Sequence, residues 1–271
     1  MNLSDILQEA VPIAQAAGTI LRDHATRPRH ADHKAAVVDL VTEADRASEA
    51  FIVQRLQSTF PQHQIVGEEG SNYQPTDANG YRWYIDPLDG TTNFAHGLPH
   101  FSISMALTDA DGWPIVGIVY DPMRDECFAA TKDGGATLNG QPVHVSSTER
   151  LAGSVVASGF PYDKWTDSEN NAAQWGHFVV RSQGVRRMGS AALDLAYVGA
   201  GRFDGYWEQK LQRWDVLAGI IIVFESGGTV TDYTGDPSGI TVVRPRLVAS
   251  NGLIHPEMLD VLRLGEAAPR P

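Results

Sequence analysis

A single cysteine in 271 residues excludes any intramolecular disulfide, so stability must come from a packed core. One thiol suits a reducing cytoplasm, the expected location, and Cys127, within an apolar strand pattern, reads as a core residue. Basic residues are few. The 21 Lys and Arg face 33 Asp and Glu, a net charge of −12, and such a surface opposes nonspecific nucleic-acid binding. No apolar run approaches bilayer length, so no membrane partner is expected. No basic cluster precedes an apolar run near Asp5 and Glu9, so no signal peptide is read. Familiar catalytic signatures are missing too: no Gly-x-Gly-x-x-Gly fingerprint, no phosphate-loop lysine and no Gly-x-Ser-x-Gly elbow. His96 and His100 have zinc-like i,i+4 spacing, but Gly97 and Pro99 between them oppose a helix.

Hydrophobic residues make up 42% of the chain, enough for a substantial core. Leu3, Leu7, Ala10, Ala14, Ala17 and Leu21 form one stripe of a helix over 3–24, with Pro12 as a candidate kink. A second helix is expected over 42–58, opened by Thr42 and Asp45 at capping-box spacing. Phe101, Ile103, Met105 and Leu107 then alternate with Ser102, Ser104 and Ala106, a strand period. With neighbours at 115–120 and 126–131 and short turns, this predicts an antiparallel sheet. After about residue 150, short strands (155–157, 203–207, 229–233, 247–250) alternate with helices near 171–181, 190–200, 214–226 and 256–263. That rhythm predicts a second, α/β part with a mixed sheet. The expected division is an α+β lobe over 1–148 and an α/β lobe over 149–271, with a loose tail from Ala267.

The densest chemistry lies in Asp86-Pro87-Leu88-Asp89-Gly90-Thr91-Thr92-Asn93-Phe94. Asp86, Asp89 and the Leu88 carbonyl offer hard oxygen donors of the kind Mg²⁺ takes. Gly90 lets backbone come close to an anion, and the Thr91 and Thr92 amides would face a phosphate if they open a helix. Taken alone, Asp-Gly-Thr is equally ordinary turn chemistry. Two further acidic segments weigh against that reading. Ile65-Val66-Gly67-Glu68-Glu69-Gly70 ends an apolar run in paired carboxylates, and in Trp214-Asp215-Val216-Leu217-Ala218-Gly219 an acid opens an apolar helix. A pocket that acidic repels a phosphate ester unless divalent cations reverse its sign.

These three segments, in this order, resemble those of the inositol monophosphatase family of Mg²⁺-dependent, lithium-sensitive phosphatases, and the resemblance runs from Lys34 to the C-terminal helix. It implies a layered α-β-α-β-α sugar-phosphatase fold with its active site between the lobes, two or three Mg²⁺ ions and a homodimer. It implies Glu68, Asp86, the Leu88 carbonyl, Asp89 and Asp215 as metal ligands, with Glu69 as ligand or outer support. Asp39-Leu40-Val41-Thr42-Glu43-Ala44-Asp45 also matches the family, implying that Thr91 and Asp45, with Glu68, activate the water. Asp45 has a bland alternative as a helix cap. Lys34 matches a position at the mouth of the site.

Substrate contacts are expected from Leu88, Asp89, Gly90, Thr91 and Asp215, and from Gly189, Ser190 and Ala191 at a helix start with Ser190 as N-cap. Glu208 is similar to the family's polyol-binding glutamate. Of two adjacent arginines, strand parity with Ser190 selects Arg186 over Arg187, while Arg213 is left between substrate and partner contact. The expected reaction is hydrolysis of myo-inositol monophosphate. Histidinol phosphate, fructose 1,6-bisphosphate and adenosine 3′,5′-bisphosphate are alternatives with the same chemistry. A regulatory protein binding transcription or ribosome-assembly partners is the alternative of another class.

Overall fold

The computed structural model describes residues 2–26, 31–33, 40–241 and 245–267. In chain order the first half contributes α1 (Leu3–Ala25), β1 (Ala31–His33), β2 (Leu40–Thr42), α2 (Glu43–Thr59), β3 (Gln64–Gly67), β4 (Asn72–Tyr73), β5 (Arg82–Asp89), α3 (Thr91–His96), β6 (Ser102–Thr108), β7 (Pro114–Asp121), β8 (Glu126–Thr131), β9 (Gly135–Leu138) and β10 (Gln141–Pro142). The second half contributes β11 (Val155–Ser158), α4 (Ala172–Val179), β12 (Gly184–Arg186), α5 (Ala191–Gly199), β13 (Gly205–Gln209), α6 (Arg213–Glu225), β14 (Thr229–Asp232), β15 (Arg246–Ser250) and α7 (His255–Ala267). The expected tail beyond Ala267 lies outside the described residues.

Five layers follow from which faces these elements bury. α1 and α2 pack their apolar stripes on the outer face of an eight-stranded sheet, ordered β10-β9-β8-β7-β6-β5-β3-β4. α1 runs unbroken through Pro12, which sits on its exposed face. α5 and α6 form the middle layer, and α6 is apolar all round because both of its sides are covered. Below them lies a five-stranded mixed sheet, β12-β11-β13-β15-β14, with α4 and α7 on its far face. One core cluster joins Tyr84, Ala106 and Val119 of the first sheet, α5 and α6, and Tyr206, Leu247 and Ala249 of the second, so the two sheets share a hydrophobic interior.

The alternation in β6 is real although both of its faces are buried. Ile103, Met105 and Leu107 meet α1 and α2, while Ser102, Ser104 and Ala106 face the middle layer. The small side lets α6 come close, and at Gly117 on β7 an added Cβ would overlap the Ala218 carbonyl. The first sheet departs from the expected antiparallel pattern in one pair: β3 runs parallel to β5. The chain between them, 68–81, carries β4 and makes the crossover that a parallel pair requires.

Candidate active site

That parallel pair is what collects the acids. The C-terminal ends of β3 and β5 lie side by side, so the Gly67-Glu68-Glu69 turn emerges beside Asp86, and the Glu68 amide donates to the Ile85 carbonyl at 3.1 Å. In a regular strand Asp86 and Asp89, three apart, would face opposite sides. Instead the register shifts: Asp86 pairs with Ser104 and Asp89 with Ser102, two β6 residues spanned by three steps of β5. The extra residue falls at Pro87-Leu88, where proline has no N–H for the ladder. The bulge turns both aspartates toward the middle layer.

Gly90 follows at φ 101°, a left-handed turn that suits glycine, and caps α3. Thr91 and Thr92 open that short helix. Thr91 Oγ1 lies 3.1 Å from Asp45 Oδ1 and 3.1 Å from the Leu88 carbonyl. Asp45 Oδ2 meanwhile accepts from the Thr42 amide (2.8 Å) and hydroxyl (2.5 Å), so Asp45 both caps α2 and reaches Thr91. Burial pushes the Asp45 carboxyl up to about 6, against hydrogen bonds from Thr42 that pull it down.

The other wall comes from the second half. Ser190, N-cap of α5, donates to Asp89 Oδ2 at 2.6 Å, and the Ala192 amide donates to the same oxygen at 2.8 Å. Asn93 Nδ2 clips the carbonyls of His100 (2.7 Å) and Met188 (2.8 Å), which fixes the approach of α3 to the Gly189 turn at φ 91°. Asp215 Oδ2 accepts from the Gln212 amide at 2.7 Å in the first turn of α6, and Ser104 Oγ donates to the Trp214 carbonyl at 2.7 Å. Glu208 and Tyr206 share one face of β13, and the Tyr206 hydroxyl donates to the Glu208 carboxylate.

A cleft of about 510 Å³ joins these walls. Glu68, Asp86, Leu88, Asp89, Gly90, Thr91, Gly189, Ser190, Ala191, Glu208 and Asp215 all line it, with Asp45 buried behind Thr91. Burial first, then mutual repulsion, drives Asp86 and Asp215 well above the carboxylate range; Asp89 is raised to about 6 and Glu208 to about 7 mainly by burial. Acids so disposed are a poor end state without cations. The donor set is all oxygen, and one oxygen each of Asp86, Asp89 and Asp215 is already held by a protein amide. An all-oxygen donor set of this kind fits a hard divalent ion.

The chain belongs to the inositol monophosphatase family. The family model matches residues 2–265. An inositol-1-monophosphatase of a Synechocystis species is 42% identical over 261 residues, covering 96% of this chain and 90% of its own. The Nus factor SuhB of Escherichia coli is 40% identical over 260 residues, covering 95% and 96%. The structure of an Anabaena inositol monophosphatase superposes with a TM-score of 0.85 at 41% identity, over 100% of this chain and 98% of that one. Family members hydrolyse phosphate monoesters, and the cleft is the part of this chain that brings the family's motifs together.

Not every expected residue lies there. Arg186 ends the edge strand β12, and its guanidinium turns back to the Val185 carbonyl at 3.3 Å, away from the cleft. Arg187 lines the cleft instead. The parity count failed because strand geometry stops at Arg186 and the left-handed Gly189 breaks the alternation before Ser190. Arg213 does not line the cleft: it is half-buried and donates to the Tyr84 hydroxyl at 2.8 Å and the Thr241 carbonyl at 2.5 Å. Glu69 is outside the cleft lining, and Lys34 is outside the described residues.

Three contributors carried no sequence signal. Buried Glu49 of α2 accepts from the Glu69 amide (2.8 Å) and the Ser71 amide (3.0 Å), which holds the turn bearing Glu68. Gly159 gives way to the Glu208 carboxylate, where any Cβ would overlap it. Lys210 Nζ clasps Asp163 (2.9 Å) and Asp167 (2.7 Å), closing the loop that forms the far wall. The left-handed backbone of Lys210, φ 64°, shows only in the structure.

Proposed function

We propose that the protein is a Mg²⁺-dependent phosphatase that hydrolyses myo-inositol monophosphate to inositol and phosphate. The observation that carries this reading is the convergence of Glu68, Asp86, Asp89 and Asp215 on one cleft, with the Thr91–Asp45 hydrogen bond at its edge and buried Glu208 across from it. Bound Mg²⁺ would supply an acidified water and offset charge on the phosphoryl and leaving oxygens, held by those four carboxylates and the Leu88 carbonyl.

The chain's own part is proton handling and positioning. Thr91 Oγ1 takes a proton from the attacking water as its own proton passes to Asp45 Oδ1, 3.1 Å away. Asp45, raised to about 6 by burial, is poised near neutral pH to accept it. Glu68, on the same side of the cleft, favours the attacking water's loss of that proton from its ligand position. The backbone at Gly90, Thr91 and Gly189 to Ala191 holds the phosphate and the adjoining alcohol, and Arg187 adds a cation to this wall. Glu208 accepts from hydroxyls of the polyol.

A panel of myo-inositol, histidinol, fructose and nucleotide phosphates, assayed for phosphate release with Mg²⁺, tests this. The highest kcat/KM is expected for myo-inositol monophosphate, with Li⁺ inhibiting where Na⁺ does not. A higher kcat/KM for histidinol phosphate would reassign Glu208 to an ammonium group. A second reading, regulation through a macromolecular partner, is favoured by the similarity to the Escherichia coli Nus factor over 95% of this chain. It requires a stable partner in a pull-down that Asp215→Asn protein retains; loss of every partner would exclude it.

A further inference from the structure

One acid in the cleft has no part in the scheme above. Asp194, in the first turn of α5, is 2% exposed and lines the cleft between the Arg187 and Glu208 walls. Its Oδ1 is shielded from solvent and has no hydrogen-bond partner. Carboxylates that serve the fold look different here: Asp204 accepts from Ser146 and the Val155 amide, and Asp121 accepts from Arg124 and two amides. A buried acceptor without a donor opposes folding, so its place in a cleft points to a donor that arrives with a ligand.

The surroundings say which ligand. Glu208 is near enough to Asp194 for its charge to raise the Asp194 acid further, and Arg187 opposes both effects. Asp89 also acts on Asp194, but Glu208 is the stronger charged neighbour, so Asp194 lies on the Glu208 side of the cleft, where the alcohol is expected. The acid of Asp194 and the carboxyl of Glu208, beside one guanidinium, offer acceptors to a neutral molecule rich in hydroxyls. We propose that Asp194 is a specificity-determining residue that, beside Glu208, accepts a hydrogen bond from a ring hydroxyl of the substrate remote from its phosphate. This rests on the polyol-phosphatase reading.

The test is steady-state phosphate release by the whole enzyme, wild type against Asp194→Asn and Asp194→Ala. The substrates are myo-inositol 1-phosphate and glycerol 2-phosphate, whose short alcohol cannot reach Asp194. For the inositol ester, KM should rise about tenfold in Asp194→Ala, as for one lost hydrogen bond, with kcat within about threefold. Asp194→Asn retains a carbonyl acceptor and should fall between the two. For glycerol 2-phosphate both variants should match wild type. A wild type inactive on both esters would sink the phosphatase reading itself. A wild type active on both, with variants that shift both substrates equally or neither, would overturn the assignment of Asp194 alone. Melting temperatures separate misfolding from either result, since removing an unpartnered buried acid should leave them unchanged or higher.

Discussion

The two walls of the cleft were built under different constraints. The first-sheet wall is compact in sequence: Asp86 to Thr91 supply two acids, a carbonyl, a left-handed turn and a helix start within six residues. The second wall is scattered over Gly159, Arg187, Asp194, Glu208 and Lys210, from four segments and with mixed charge. Cation and phosphate chemistry needs fixed distances among neighbouring oxygens, and a short stretch of backbone can set those. Recognition of an alcohol needs only a shape and a few partners, which distant segments can share.

The comparison predicts unequal penalties. The largest should fall on the proton-passing pair at the motif wall. Thr91→Ala and Asp45→Asn should each lower kcat by about 10²–10⁴-fold, with Mg²⁺ binding largely retained. If they act as one unit, the double variant should be about as slow as the worse single one. Asp45→Asn should also cost about 0.5–2 kcal/mol as a lost cap, which thermal melts would register. Multiplicative rate losses in folded variants would make Asp45 a cap alone.

A smaller effect should separate the two arginines. Arg187→Ala should raise KM about tenfold through one lost charged contact, while Arg186→Ala should leave kinetics unchanged. The reverse ranking would restore the parity argument that the strand end at Arg186 contradicts.

The smallest expected effect is on stability against pH. Asp45 and Asp89 are raised to about 6 and Glu208 to about 7, with Asp86, Asp194 and Asp215 also raised, all chiefly by burial. Raised acids favour the fold while protonated. Their contribution is therefore complete below the ordinary aspartate value of 3.8 and is lost as pH rises through about 7. Metal-free protein should lose a few degrees of Tm across that window, at about 2–4 °C per kcal/mol, and Mg²⁺ should recover most of it. A Tm loss that Mg²⁺ leaves untouched at pH 7 would detach these acids from metal binding.

The same contrast explains what could be read from the chain. Helix periods, the capping box at Thr42 and Asp45, and the alternation in β6 are local, and each was legible. The motif wall was legible because its turn residues and ligands are contiguous. The parallel pairing of β3 and β5 was not, since a two-residue β4 and a loop hide the crossover. Asp194 carries no mark in the sequence, because its unpartnered oxygen shows only in three dimensions. Arg187 and Arg186 are one residue apart, and only the end of β12 tells them apart.

The most direct test is phosphate release from myo-inositol 1-phosphate by chelator-stripped protein as Mg²⁺ is added, for wild type and Asp215→Asn. Wild type should be silent without the ion and regain activity along a saturating curve. Asp215→Asn should plateau about a thousandfold lower, or ~4 kcal/mol of lost transition-state stabilisation, because an amide replaces an anionic ligand. Full wild-type activity in excess chelator would contradict the account of the acidic cleft as a cation-dependent phosphatase centre.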